Sequence, residues 1–287
     1  MLAISSKSIQ ALTFSLAVAI AITVWSMASH IEPQFALLGL LGAIFANATG
    51  AGGGVVFIPT FHQLGLSEEA AIATSFGIQT FGMTAGSVAW LTKYYLDSRT
   101  HVPASVEQLK LVLWVTGLVT LPSIAGLYSV DLFGIARPAT LANFFAWFSI
   151  ALGLCILATV FFFKPNSQFT LHRFDLVALV FIGFLGGMIT AWLSVGVGEL
   201  VAFYLIARGS NPATAIASAV VITALSVWSV VPSTFSRDSA AVLPIILAAG
   251  PAALLGGLSA RYLVERLSRF WLKVFFGSWL ILIGLVT

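Results

Sequence analysis

Two clusters of glycine interrupt an otherwise apolar chain of 287 residues and lie 144 positions apart. The first cluster is Gly50-Ala51-Gly52-Gly53-Gly54, and the second is Gly196-Val197-Gly198-Glu199. The same offset relates Gly39, Gly42, Gly65, Ile72 and Ala73 to Gly183, Gly186, Gly209, Ile216 and Ala217. A pair of glycine-broken apolar segments, at matching places in two halves of a membrane protein, indicates a binding site between the halves.

The composition is that of an integral membrane protein. Hydrophobic residues make up 59% of the chain and charged residues 8%, whereas a soluble domain carries about 25% charged residues. Several apolar runs reach the roughly 20 residues that a helix needs to cross a bilayer, and the gaps between them are too short to hold a soluble domain. The sequence therefore predicts an all-α polytopic membrane protein with a single transmembrane domain over residues 1–287.

The residue types that the chain lacks exclude several classes of function. The net charge is +3, but the basic residues lie between the apolar runs, so we expect no nucleic-acid partner. The single cysteine, Cys155, cannot form an internal disulfide. The sequence contains no P-loop, no Cys/His cluster with metal-ligand spacing and no clear nucleophile–base pair. We therefore expect that the protein is not an enzyme and holds no metal or cofactor.

The internal repeat continues beyond the glycine clusters at a different offset. Phe144, Phe145, Gly153 and Leu154 match Phe275, Phe276, Gly284 and Leu285 at an offset of 131. The first repeat is therefore 13 residues longer, and we assign the extra residues to the polar stretch 93–107. The chain then consists of a leading helix at 9–29, a first repeat at 35–163 and a second repeat at 176–287.

The charge distribution tests whether the glycine-broken segments cross the membrane, because Lys and Arg concentrate on the cytoplasmic side. If both segments cross, the Lys and Arg residues split 7 to 6, and neither orientation is favoured. If both are re-entrant hairpins, the split is 11 to 2, with only Arg137 and Arg237 outside, seven crossings and a cytoplasmic N-terminus. The two repeats are then inverted. If only the second segment is re-entrant, the split is 10 to 3 with an external N-terminus, so eight or nine crossings are alternatives.

The glycine clusters favour backbone that leaves the helix, because glycine has no Cβ atom. Within a bilayer, such backbone is tolerated only where it is buried in protein or lines a watery cavity. Apolar stretches resume at 55–61 and 200–207, and as half-helices they would direct their N-termini inward. Free N–H groups and the positive end of the helix dipole suit a small anion. The alternative is close helix packing by glycine, which we assign to Gly39, Gly42, Gly183, Gly186 and Gly187.

Glu199 follows the second cluster directly, at the position where the first cluster is followed by Val55. An ionisable side chain within a membrane segment marks a functional site by default. Desolvation favours the neutral form of a carboxyl group, so we expect a proton to be carried there. Cation binding is a second interpretation, and a structural tie to a neighbouring hydroxyl or to Arg208 is the alternative without function.

Other polar residues lie beside the two breaks. Asn47, Thr49 and Ser194 flank them and are candidate donors to an oxyanion or caps of the half-helices. Gln79 and Thr223 occupy matching positions in the two repeats, and interhelical hydrogen bonding is their alternative role. The predicted substrate-binding residues are Asn47, Thr49, Gly52, Gly53, Gly54, Gln79, Ser194, Gly196, Val197, Gly198 and Thr223.

The stretch from Gly50 to Pro59, Gly-Ala-Gly-Gly-Gly-Val-Val-Phe-Ile-Pro, followed by Gly65-Leu66-Ser67, resembles the sulfite exporter TauE/SafE family. The second cluster and the repeat layout extend this resemblance over almost the whole chain. The resemblance implies a multi-pass transporter of the bacterial inner membrane for sulfite, organosulfonates or related anions. Glu199 in place of Val55, and Phe203 in place of Pro59, depart from the first motif and predict two unequal half-sites.

The function that we expect is export of a small sulfur-containing oxyanion by alternating access, coupled to protons through Glu199. An anion channel and a transporter of small carboxylates are the alternatives, and a structural or sensory subunit without flux is a third. The partners are then the small anion and the lipid bilayer. The sequence leaves homodimerisation open.

Overall fold

The computed structural model describes residues 33–99, 103–138, 140–162 and 171–286, and these form helices joined by short connections, with no strand among them. The predicted leading helix at 9–29 lies outside the described residues. Five of the helices are long and apolar enough to cross a membrane. The prediction of an all-α polytopic membrane protein is thereby confirmed. The helices are α1 (Pro33–Thr49), α2 (Gly54–Gln63), α3 (Glu68–Ser98), α4 (Pro103–Leu132), α5 (Leu141–Phe162), α6 (Arg173–Leu193), α7 (Val197–Ala207), α8 (Pro212–Ser229), α9 (Val231–Thr234), α10 (Leu243–Arg266) and α11 (Arg269–Val286).

The extra residues predicted for the first repeat lengthen a helix. Helix α3 has 31 residues, whereas α8, at the matching place in the second half, has 18 residues. The polar stretch that starts at Lys93 therefore begins within α3. Its lysine binds Asp97 at 2.7 Å one turn further on and lies 3.7 Å from Glu265 of α10. The insertion thus ties the end of α3 to a helix of the second half.

The first helix of each half packs against a long helix of the other half. A Cβ atom on Gly39 of α1 would overlap the backbone of Ala249 in α10, and one on Gly187 of α6 would overlap the backbone of Ser123 in α4. These glycines permit the close helix contacts that small residues allow in membrane proteins. Helices from the two predicted halves therefore pack against each other and not only within their own half. The repeat bounds 35–163 and 176–287 stay a prediction.

Both glycine-broken segments turn back on themselves. In the second segment, a Cβ atom on Gly186 of α6 would lie 2.7 Å from the Cα atom of Val197, the first residue of α7. At the other end of α7, Arg208 binds Asp175, near the start of α6, at 2.6 Å. The segment therefore enters and leaves on the same side of the helix bundle. In the first segment, the Phe57 ring of α2 lies against Gly42 of α1, which also requires a reversal.

Candidate functional site

The two helix breaks coincide with backbone conformations that a helix cannot hold. The first break spans Gly50 to Gly53, and Gly50 has a φ of +80°. The second break spans Ser194 to Gly196, with φ of +58° at Ser194 and +150° at Gly196. Glycine adopts such angles without steric cost, whereas Ser194 holds a left-handed conformation that L residues other than Gly, Asn and Asp seldom adopt. The chain can therefore stop α1 and α6 in the interior and restart as α2 and α7.

The two breaks contact each other directly. A Cβ atom on Gly54, the first residue of α2, would lie 2.6 Å from the carbonyl oxygen of Ser194. A Cβ atom on Gly198 would collide with the carbonyl oxygen of Gly50. Since in both cases the obstacle is backbone of the opposite break, only glycine permits this approach. The N-termini of the two half-helices therefore meet inside the protein.

The carboxyl group of Glu199 lies at this junction and is fully buried. The backbone N–H of Gly52 donates to Oε1 at 3.0 Å, and the N–H of Gly196 donates to Oε2 at 2.7 Å. One donor comes from each break, and both are backbone amides. Two of the N–H groups that the sequence predicts to be free for an anion are therefore bound to a carboxyl group of the protein itself.

Arg208, the structural partner considered for Glu199, binds a different carboxylate. Its guanidinium forms a two-pronged contact with Asp175, with Nε at 2.6 Å from Oδ1 and an Nη atom at 3.0 Å from Oδ2. The hydroxyl of Tyr204 also donates to Asp175, at 2.6 Å. This cluster closes the far end of the second hairpin, and no salt bridge among the described residues reaches Glu199.

The side chain of Gln79 in α3 joins the two breaks from the side. Its Oε1 accepts the N–H of Gly53 at 2.9 Å. Its Nε2 lies 2.8 Å from the hydroxyl of Ser194 and 3.2 Å from the carbonyl oxygen of the same residue. The hydroxyl of Ser75, one turn earlier in α3, accepts from the same Nε2 at 3.1 Å. Gln79 thus holds the start of α2 against the end of α6.

Thr223 in α8, at the matching position of the second half, has a different environment. Its side chain is 2% exposed, and its hydroxyl has no hydrogen-bond partner within the described part of the chain. The oxygen lies 2.6 Å from where a Cβ atom of Gly198 would stand. A buried hydroxyl without a partner is unusual in a native protein and calls for a ligand, a water or a functional reason.

Two predicted residues stand apart from this network. The amide of Asn47 donates to the carbonyl oxygens of Ala43, at 2.8 Å, and of Gly82 in α3, at 3.2 Å. It therefore joins α1 to α3 beneath the first break. The hydroxyl of Thr49 donates to Phe45 at 2.7 Å and accepts the N–H of Ala51 at 3.2 Å, which caps the end of α1. The contact of Thr49 matches the capping alternative, whereas Asn47 forms an interhelical bond instead of the expected cap.

Two residues of the network escaped the sequence analysis. Ser75 accepts the hydroxyl hydrogen of Ser194 at 2.9 Å, and Thr190 accepts the N–H of Val197 at 3.1 Å. Ser75 precedes Gln79 by four positions, and Thr190 precedes Ser194 by four. That spacing places each on the same helix face as a predicted residue and is the signal that could have identified them.

The junction is closed to solvent, although a polar cavity approaches it. The residues of both breaks and the starts of both half-helices are buried. The cavity has a volume of about 290 Å³ and is lined by charged and hydroxyl side chains, including Asp131, Arg137 and Ser233. It also reaches Ala191 of α6, three residues before Ser194. The cavity therefore borders the last turn of α6, the helix that ends at the second break.

Comparison with known proteins identifies the family. The family model described as sulfite exporter TauE/SafE matches residues 35–287, which include both glycine clusters and every residue of the network. No curated protein and no solved structure matches the chain. With the apolar helices and the two facing breaks, this match shows that the chain is a multi-pass membrane protein and belongs to the sulfite exporter TauE/SafE family.

Proposed function

We propose that the protein exports a small sulfur-containing oxyanion, sulfite or an organosulfonate, by alternating access at the junction of the two breaks. The observation that carries the proposal is the bound carboxylate of Glu199, held by the N–H groups of Gly52 and Gly196. An arrangement of backbone donors that binds a buried carboxylate also suits the oxygens of a sulfite or sulfonate group. The family supports sulfur-containing anions as the substrate class.

The surroundings favour anion binding through backbone amides. Buried apolar side chains, among them Val55, Leu193 and Val195, pack around the junction. In such a low-dielectric environment, hydrogen bonds and helix dipoles act more strongly than in water. The site therefore needs no basic side chain, which would bind an oxyanion too tightly for release.

Alternating access is supported by the closed junction and by the nearby cavity. The cavity contains Arg137, which the favoured charge distribution places outside the cell. We take it as the external vestibule, into which the anion is released when the end of α6 moves away from α3. The contacts of Gln79 with Gly53 and Ser194 must then break on that side.

Glu199 supplies the proposed proton coupling. Its carboxyl group is fully buried, and burial favours the neutral form over an ionised one without a counter-ion. A proton bound at this carboxyl group would therefore move with each transport cycle. Glu199→Gln mimics the neutral form, so we expect its flux to be independent of pH over the range in which wild-type flux varies.

The test is transport in proteoliposomes. Purified protein should move labelled sulfite uphill when a proton gradient is imposed, with a rate that saturates. Gly53→Leu should abolish the flux, because a side chain there would collide with Phe57 and Gln79. Gly117→Leu is the matched control, since nothing lies within 4 Å of its Cβ position. Flux that neither saturates nor responds to the gradient would indicate a channel, and absence of flux in all variants would refute the proposal.

A further inference from the structure

We infer that the Glu199 carboxylate is a displaceable internal ligand, which occupies the anion-binding amides until the substrate replaces it. This inference rests on the proposed function and adds a competition within the site. The protein's own carboxylate and the transported oxyanion would use the same N–H groups of Gly52 and Gly196. They cannot both bind these groups at once.

The geometry is that of a bound anion. Each oxygen of the Glu199 carboxylate accepts one amide, one from each break, at 3.0 Å and 2.7 Å. Two oxygens of a sulfite or sulfonate group are similarly placed to accept the same pair of donors. The carboxylate is attached to α7 by its own side chain, so it holds the two half-helices together in the empty site.

A second observation shows that the carboxylate leaves part of the site unused. The Thr223 hydroxyl is buried beside Gly198 and has no partner among the described residues. A carboxylate has two oxygens, and both are already bound by amides. A sulfite or sulfonate group has three oxygens, so its third oxygen can accept the hydrogen of Thr223.

The groups that face Glu199 favour displacement through protonation. Helices α5, α6 and α8 pack against α7. Helix α8 carries no ionisable side chain, the only one on α5 is the exposed thiol of Cys155, and Arg173 and Asp175 of α6 lie at the far end of the hairpin. On α7, Tyr204 and Arg208 lie at that far end too, where they bind Asp175. No ionisable side chain in the described part of the chain forms a salt bridge with Glu199, so the carboxylate loses its charge by binding a proton before it leaves the two amides.

The competition predicts that a substitution of Glu199 raises the affinity for the anion, whereas a substitution in a binding site usually lowers it. Removing the carboxylate should tighten anion binding, because the substrate no longer competes for the two amides. Hydrogen bonds to a charged group are strong enough that we expect the affinity of Glu199→Ala to rise about tenfold or more. Glu199→Gln should give an intermediate gain, since its amide oxygen can accept one of the two N–H groups.

The experiment measures thiosulfate binding to detergent-solubilised protein by calorimetry between pH 6 and pH 8, where the charge of thiosulfate is constant. Wild-type affinity should rise as the pH falls, and Glu199→Ala should bind more tightly with no dependence on pH. Asp175→Asn is the matched control, because it also neutralises a buried carboxylate of the same hairpin. Its affinity should equal that of the wild type.

The outcomes separate this inference from the proposed function. If the wild type binds thiosulfate and Glu199→Ala and Glu199→Gln bind it equally or more weakly, the competition is refuted while the transporter proposal stands. If neither thiosulfate nor sulfite binds to any variant, both proposals fail. If Glu199→Ala does not fold, Glu199→Gln carries the test. An equal gain in Asp175→Asn would attribute the effect to net charge and also refute the competition.

Discussion

The two glycine breaks have the same register in sequence and reverse the chain in the same way, yet their hydrogen bonds differ. The first break contributes the amides of Gly52 and Gly53 and no side-chain acceptor of its own for them. Glu199, from the second break, accepts from Gly52 and also from Gly196. The two breaks therefore share a backbone reversal, while only the second carries an ionisable group at the position where the first has Val55.

The helices beside the breaks, α3 and α8, also differ in their hydrogen bonds. Gln79 bonds to both breaks, whereas its counterpart Thr223 has a hydroxyl without a partner among the described residues. One half thus stabilises the junction, and the other half provides a free donor.

The largest loss of stability should come from substitutions of the glycines at which the two breaks touch. Substitutions in the first and second break should lower the free energy of unfolding to a similar extent. Gly54→Ala and Gly198→Ala each place a Cβ atom against backbone of the opposite break. We expect each to lower the free energy of unfolding by about 3 kcal/mol or to prevent folding. Thermal unfolding in detergent measures this, with Gly117→Ala as an unaffected control. Tolerance of either substitution would show that the breaks do not meet as described.

The side chains beside the breaks should respond unequally. Gln79→Ala leaves the buried N–H of Gly53 without its acceptor, so the free energy of unfolding should fall by about 2 kcal/mol. Thr223→Val removes a hydroxyl that has no partner in the described residues, and should change it by less than about 1 kcal/mol. Chemical denaturation of the two variants provides the comparison. Equal losses of unfolding free energy in the two variants would contradict the difference between these two positions.

The contact that joins the end of α7 to the start of α6 in the second hairpin should depend on Asp175. The first hairpin should not be affected by a substitution of this residue. Asp175→Asn weakens the contact with Arg208, whose side chain is 41% exposed, so we expect a loss of only about 1 kcal/mol. Hydrogen exchange should become faster in residues 204–208, at the end of α7 that contacts Asp175, and remain unchanged in residues 54–63. Faster exchange in both hairpins would mean that the ion pair stabilises the whole bundle.

A small effect on stability, and the sharpest test of topology, comes from cysteines just after α2 and α7, at the open ends of the two hairpins. Gly65 and Gly209 have φ of +75° and +93°, so a cysteine at either position should cost about 1 kcal/mol. In a Cys155→Ala background, a membrane-impermeant thiol reagent should label position 65 from outside and position 209 only from inside. Labelling of both from one side would contradict inverted hairpins.

Much of the architecture was predictable because it depends on local sequence. The apolar runs predicted the helices, and the glycine clusters predicted where α1 and α6 end. The offsets of the repeat also predicted 13 extra residues in the first half, although they were assigned to the polar stretch 93–107 and not to a longer α3. The family resemblance rested on the same motifs and is confirmed by the match over residues 35–287.

The hydrogen bonds of the site were not predictable to the same extent. The sequence analysis identified Glu199 and Gln79 but not their partners, and it missed Ser75 and Thr190. Gly52 and Glu199 are separated by 147 positions, and no local pattern specifies which amide a distant side chain will accept. Asn47 shows the converse, because its place beside the first break did not determine that its amide would bond to α3.

The sequence by itself determined a helical membrane protein with two glycine-broken segments and one intramembrane carboxyl group, because hydropathy, glycine content and charge are properties of each segment alone. The tertiary structure decided that the two breaks meet and that the carboxyl group fills the amides of both. It did so because buried backbone N–H groups are nearly always paired, and only the packing of the two halves brings Glu199 within reach of Gly52.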